Sequence, residues 1–199
     1  MANQRQPISG GGIEAIADAV KREGSKGPPP VHLWNPPFCG DIDMRIAADG
    51  TWFYLKTPIG RPALVRLFAS VLKREADKYF LVTPVEKVGI TVEDAPFLAV
   101  EMQVQDQPGG RDLRFRTNVD EWVECGPQHG LRFDPEPTGG LKPYLHVRRN
   151  LWAKVTRPLF YDLVELGEER DVEGRRMFGV ASQNEFFAMA PADSLREFI

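Results

Sequence analysis

Apolar and polar positions change period several times along the chain. Ile42, Met44 and Ile46 alternate with Asp43 and Arg45, which predicts a strand with one buried face. Asp49-Gly50 then predicts a hairpin turn, with residues 51–55 as the return strand. Over residues 61–74 the period becomes helical: Leu64, Leu67, Phe68, Val71 and Leu72 recur at i, i+3, i+4, i+7 and i+8. Pro62 suits the first helical position, which makes Arg61 the N-cap residue. Residues 79–82, 88–92 and 97–104 read as further strands, and Pro108-Gly109-Gly110 as a turn.

The second half has the same texture. Leu113, Phe115 and Thr117 alternate with Arg114 and Arg116, and residues 122–125 and 131–133 read as short strands. A strand near Tyr144, a strand over 151–155, a helix from Arg157, a polar loop over 165–173, and strands over 177–181 and 186–189 complete the pattern. A short helix is expected over 193–199, and another over 13–22, where Ile13, Ile16, Ala17 and Val20 share a face. Pro28-Pro29-Pro30 predicts a stiff extended linker after the latter.

One phrase occurs twice. Arg61-Pro62-Ala63-Leu64-Val65-Arg66-Leu67-Phe68 and Arg157-Pro158-Leu159-Phe160-Tyr161-Asp162-Leu163-Val164 share Arg-Pro-x-apolar-x-x-Leu-apolar. Each follows a tryptophan, Trp52 or Trp152, and precedes an apolar run. The expectation is therefore an α+β protein built by internal duplication. It would hold two similar small domains of strand-strand-helix-strand order with mostly antiparallel sheets. The boundaries read as an N-terminal helix and Pro-rich linker over 1–30, a first repeat over 31–105 and a second over 106–199. If the repeats pack side by side, the cleft between them is the default ligand site.

Composition narrows the function classes. The 199 residues carry a net charge of −3, so no global basic field points to nucleic acid or an anionic membrane. No apolar run approaches the roughly 20 residues needed to span a bilayer. Two cysteines, Cys39 and Cys125, are too few for a disulfide framework or a structural zinc site. A reducing cytoplasm is the expected location.

The candidate chemistry starts from Arg61 and Arg157. An arginine at the positive end of a helix is unfavourable unless an anion is close. Either a phosphate or carboxylate binds there, or each arginine makes a structural ion pair with Asp41, Asp43 or Glu86. Residues 140–161 hold Lys142, Arg148, Arg149, Lys154 and Arg157 with no acid, which is either a patch for an anionic small molecule or a solvated strand face. Thr83-Pro84-Val85-Glu86-Lys87 ends a strand in polar groups, a common place for ligand contacts and equally a simple turn. Trp34 and Trp52 either stack on a ligand base or belong to the core. Cys39 with His32 lacks a third orienting group, and His32, His129 and His146 lack metal-ligand spacing. No phosphate loop, dinucleotide fingerprint or nucleophile elbow is present.

Several phrases resemble a known family. They are Trp34-Asn35-Pro36-Pro37-Phe38-Cys39-Gly40-Asp41-Ile42-Asp43, Asp49-Gly50-Thr51-Trp52, Gly60-Arg61-Pro62, Leu81-Val82-Thr83-Pro84-Val85-Glu86-Lys87, Asp94-Ala95-Pro96-Phe97 and Phe115-Arg116-Thr117-Asn118. From Trp34 onward the chain resembles the bacterial family called domain of unknown function 1285. The resemblance implies a tandem of two α+β units, the second loosely similar to a pleckstrin-homology fold. It also implies a nucleotide-like ligand at the domain interface and a role in signal transduction, with no catalytic residue or cofactor to carry over. The resulting expectation is a non-catalytic sensor for an anionic, nucleotide-like molecule, held by Arg61, Arg157, Thr83, Glu86, Lys87, Arg148, Asp43, Trp34 and Trp52. The alternatives are a hydrolase or transferase with Asp41 or Asp43 as base, or a protein-interaction adaptor using exposed sheet edges.

Overall fold

Alternating strand patterns dominate the sequence, and sheet dominates the fold. The structure is a computed structural model that describes residues 14, 16–18, 20, 29–108, 110–137 and 139–195. Among these, fifteen strands accompany only three short α-helices and one 3-10 turn (Val31–Leu33) after Pro29, so the chain is richer in sheet than the α+β balance expected. The first 30 residues lie mostly outside the described part. Within the helix expected there, Glu14, Ile16, Ala17, Asp18 and Val20 are helical, with Ile16, Ala17 and Val20 buried. Ile13 and residues 196–199 of the expected terminal helix are outside it.

The chain forms two compact units. One takes the described residues through Ala47 together with Thr51–Glu93, the other Ala48–Gly50 and the described residues from Asp94 onward. The boundary expected at 105/106 falls inside a strand that belongs whole to the second unit.

In the first unit, β1 (Phe38–Ile46), β2 (Trp52–Tyr54) and β3 (Thr57–Pro58) precede helix α1 (Pro62–Ser70). After the helix come β4 (Leu72–Glu75), β5 (Lys78–Val82) and β6 (Lys87–Val92). They form one six-stranded sheet of order β3-β2-β1-β6-β5-β4, antiparallel except where β1 runs parallel to β6. Arg61 is the N-cap of α1, with Pro62 behind it, as the sequence implies. The helix is shorter than the helical period suggests. It stops at Ser70, whose hydroxyl donates to the Leu67 carbonyl at 2.6 Å, and Leu72 opens β4. Val71 and Leu72 are fully buried, so they satisfy the apolar period while leaving the helix.

In the second unit, β7 (Phe97–Gln107), β8 (Gly110–Thr117) and β9 (Trp122–Cys125) form one meander. A second consists of β10 (Leu131–Pro135), β11 (Leu141–Arg148) and β12 (Leu151–Val155). The order β10-β11-β12-β7-β8-β9 again joins the first and last strands in parallel at the centre. Helix α2 (Arg157–Glu165) follows, then a separate antiparallel sheet of β13 (Glu168–Val172), β14 (Arg175–Ser182) and β15 (Glu185–Pro191), and the single turn α3 (Ala192–Leu195). β13 replaces the polar loop expected over 165–173. All five of its residues are exposed, so it has no apolar face for the sequence to reveal.

The second unit's six-stranded sheet must be rolled. Its edge strands β9 and β10 are joined by only five residues, which reach at most about 20 Å. A flat sheet of this order would hold those edges about 24 Å apart. The β14–β15 hairpin seals the resulting seam. Buried Ser182 accepts the Leu113 N–H at 2.9 Å and donates to the Cys125 carbonyl at 2.6 Å, and Phe187 lies on Gly130.

Candidate functional site

The acid-free basic run 140–161 folds into β11, β12 and the start of α2, and this local order gathers its cations. Lys142, Lys154 and Arg157 line one cavity of about 350 Å³, together with Glu136, Gly139, Gly140, Phe160 and Tyr161. Two of the three cations already have carboxylate partners. Lys154 bonds Asp94 at 2.7 Å, and Lys142 lies 3.8 Å from Glu136. Arg157 has none among the described residues. Its Nε donates to the Tyr161 hydroxyl at 2.9 Å, and its guanidinium lies 5.7 Å from the ring centroid. That hydrogen bond and, as a lesser cause, the Glu136 carboxylate of the same cavity push Arg157 above its ordinary value.

The helix end adds to the field. Thr156 is the N-cap but makes no side-chain cap bond, Pro158 follows, and the first turn holds no acid. The positive end of α2 is therefore uncompensated. A cationic guanidinium, a bare helix end, two lysines and two aromatic rings around one concavity suit an anion that carries an apolar body.

Asp94 sets how much of this charge is spent inside the fold. Its carboxylate also accepts the Tyr144 hydroxyl at 2.6 Å. Burial disfavours its ionisation, but the bonds from Lys154 and Tyr144 outweigh this and hold it below the usual carboxylate range. Burial, followed by the Asp94 bond, pushes the Tyr144 phenol well up.

The other residues expected at a site are dispersed. Arg61 belongs to the first unit, is exposed, and has no side-chain partner among the described residues. The ion pairs with Asp41, Asp43 or Glu86 envisaged for it are absent there. Thr83 is fully buried, and its hydroxyl accepts the Glu86 N–H at 3.2 Å, which closes the 83–86 turn that also contains Glu86. Lys87 bonds Glu75 at 2.9 Å and lies over the Phe80 ring at 5.0 Å. Asp43 is exposed on β1, and its carbonyl accepts the Leu55 N–H. Trp34 is half-buried. Trp52 is 2% exposed and stacks on Phe68 at 6.4 Å, so it is a core residue of the first unit. Arg148 pairs with Glu121 in a different cavity from Arg157. Tyr161, Phe160, Lys142 and Lys154 were not singled out as site residues. Only the missing acids between 140 and 161 pointed to the lysines. Among the described residues no group of three or more His, Cys, Asp or Glu could hold a metal, and no helix is long and apolar enough to cross a membrane.

Comparison with known proteins places the chain. The family model described as "Domain of unknown function (DUF1285), N-terminal domain" matches residues 29–95. The one described as "Protein of unknown function (DUF1285), C-terminal domain" matches residues 96–189. No curated protein matches the chain. The crystal structure of a DUF1285 family protein from Silicibacter pomeroyi DSS-3 is similar, with a TM-score of 0.84 and 50% identity over 94% of this chain and 100% of that one. A DUF1285 family protein from Shewanella baltica OS155 gives a TM-score of 0.50 and 34% identity over 62% of this chain and 91% of that one. The meeting point of the two family matches, 95/96, lies beside the division between the two compact units, and the chain belongs to the DUF1285 family.

Proposed function

We propose that the chain is a non-catalytic binding module for an anionic, nucleotide-like small molecule, taken up by the second unit around Arg157. The observation that carries this reading is a guanidinium that makes no ion-pair contact among the described residues, beside a cavity of about 350 Å³ at an uncompensated helix end. Lys142 and Lys154 supplement the charge, and Phe160 and Tyr161 offer ring faces for an apolar or aromatic body. A sensor in cytoplasmic signal transduction is the biological setting this reading fits.

We also infer that the two units arose by duplication. The support is topological. Both six-stranded sheets have two three-stranded meanders joined by a parallel pairing of first and last strands. The Arg-Pro helices do not correspond in this match, because α1 lies between the two meanders of its sheet whereas α2 follows the second meander of the other. The rolled sheet, antiparallel except at its β7–β12 join, followed by α2 is what supports a loose likeness of the second unit to the pleckstrin-homology fold.

A thermal-shift screen against inorganic phosphate and phosphorylated small molecules tests the binding reading. A ligand present at a hundred times its Kd stabilises the folded state by about 2.7 kcal/mol. The expected result is a shift that disappears in Arg157→Gln. No shift with any phosphorylated compound would remove the reading.

A further inference from the structure

The cavity around Arg157 holds one group that a bare anion has no use for. Among the described residues that line it, Glu136 is the one acid, set with Lys142, Lys154 and Arg157. Asp94 takes up Lys154, but nothing takes up Glu136 in the same way. The Lys142 Nζ is 3.8 Å from Glu136 Oε1, too far for a hydrogen bond. No N–H or hydroxyl among the described residues donates to either carboxylate oxygen.

The β10–β11 turn sets the direction of this side chain. The Glu136 N–H donates to the Gly140 carbonyl at 3.0 Å, and the Gly139 N–H donates to the Glu136 carbonyl at 3.1 Å. Gly139 and Gly140 hold φ of 87° and 100°, a left-handed conformation that lets the chain close this turn. The backbone of Glu136 is thus tied at both polar groups, and its Oε2 lies back over Gly140, 3.9 Å from where a Cβ would stand. Arg157 comes from the start of α2, so opposite charges enter the cavity from separate elements. Beside them Tyr161 is 53% exposed, and Phe160 is braced by the Phe133 ring at 6.2 Å.

A ligand that fills this space strips water from the carboxylate. Inorganic phosphate leaves it facing a like charge, and an apolar group leaves it without a donor; each costs affinity. An ammonium group would satisfy it but would oppose Lys142 and Arg157. Neutral hydroxyls satisfy it without that conflict, and a vicinal pair matches its two oxygens. We propose that the cavity selects a sugar phosphate, with Glu136 as the residue that determines this specificity. The inference rests on the Arg157 reading: the phosphate lies against Arg157 and Lys142, two adjacent sugar hydroxyls donate to Glu136, and the C–H face of the sugar lies on Tyr161. In a nucleotide, the ribose is then the part the cavity reads.

The test is calorimetric titration of the intact chain and of Glu136→Ala with inorganic phosphate, ribose 5-phosphate and 2-deoxyribose 5-phosphate. Wild type should bind ribose 5-phosphate at least about tenfold more tightly than either of the others. In Glu136→Ala inorganic phosphate should bind about threefold more tightly, because a like charge is gone, and ribose 5-phosphate about fivefold more weakly, because its acceptor is gone. A merely structural Glu136 would not produce those opposite signs. If the variant fails to fold, the wild-type comparison of the two sugars decides the matter alone. Equal binding of the two sugars by wild type, or tighter binding of all three compounds by Glu136→Ala, overturns the inference and leaves phosphate at Arg157 intact. Binding of none of them by wild type overturns the Arg157 reading and this inference with it.

Discussion

Replacing Asp94 with asparagine should weaken the fold and strengthen anion binding at the same time. Asp94 accepts hydrogen bonds from buried Tyr144 at 2.6 Å and from Lys154 at 2.7 Å. The Tyr144 bond to a charged acceptor contributes about 1.5 kcal/mol, and the partly exposed Lys154 pair about 0.5 kcal/mol. The loss is therefore about 2 kcal/mol, which at an m-value near 2 kcal/mol/M lowers the urea midpoint by about 1 M. The sign with pH follows from the depressed carboxyl. Its stabilisation is present in full above the unfolded-state value near 4 and disappears as pH falls through the lower folded-state value. Wild type and variant should thus converge in acid and differ most at neutral pH. The same change leaves Lys154 without its carboxylate beside the Arg157 cavity. A phosphate touching Lys154 would lie about 6 Å from the Asp94 charge. At an effective dielectric of about 40–80 that repulsion is about 1 kcal/mol, so phosphate should bind roughly fivefold tighter to the variant. Urea titrations at several pH values and calorimetric titration with phosphate read both effects. Loss of stability without tighter phosphate binding would refute the idea that Asp94 restrains the charge of this cavity.

Three further changes test the fold around the sites. Gly179→Ala would drive its Cβ into the Phe187 carbonyl and to 2.9 Å from the Ala188 backbone, destabilising by about 3 kcal/mol by urea denaturation. Ser182→Ala leaves the Leu113 N–H and Cys125 carbonyl unmet in the sealed seam and should cost about 2 kcal/mol by the same measure. Burial pushes the Cys125 thiol up to about 12, partly offset by the Ser182 bond, whereas Cys39 is exposed. A thiol reagent should therefore label only Cys39 in the native protein near neutral pH, and both cysteines in denaturant.

The sequence carried much of the local structure and little of the pairing. Alternation located β1 and β8, and Arg-Pro marked both helix starts, because burial of one face and the fixed φ of proline act within a few residues. The end of α1 was misread because Val71 and Leu72 are buried whichever element holds them. The parallel joins β1–β6 and β7–β12 unite strands far apart in sequence and leave no periodic trace. The anion cavity was half legible, since its basic residues are consecutive in β11, β12 and α2 while Asp94 and Glu136 come from outside the run.

Calorimetric titration of inorganic phosphate into wild type, Arg157→Gln and the surface control Arg175→Gln tests the central claim most directly. Wild type and the control should bind one phosphate per chain with equal affinity, and Arg157→Gln at least about tenfold more weakly, a loss of about 1.4 kcal/mol. Equal affinity in all three would contradict the assignment of the anion site to Arg157.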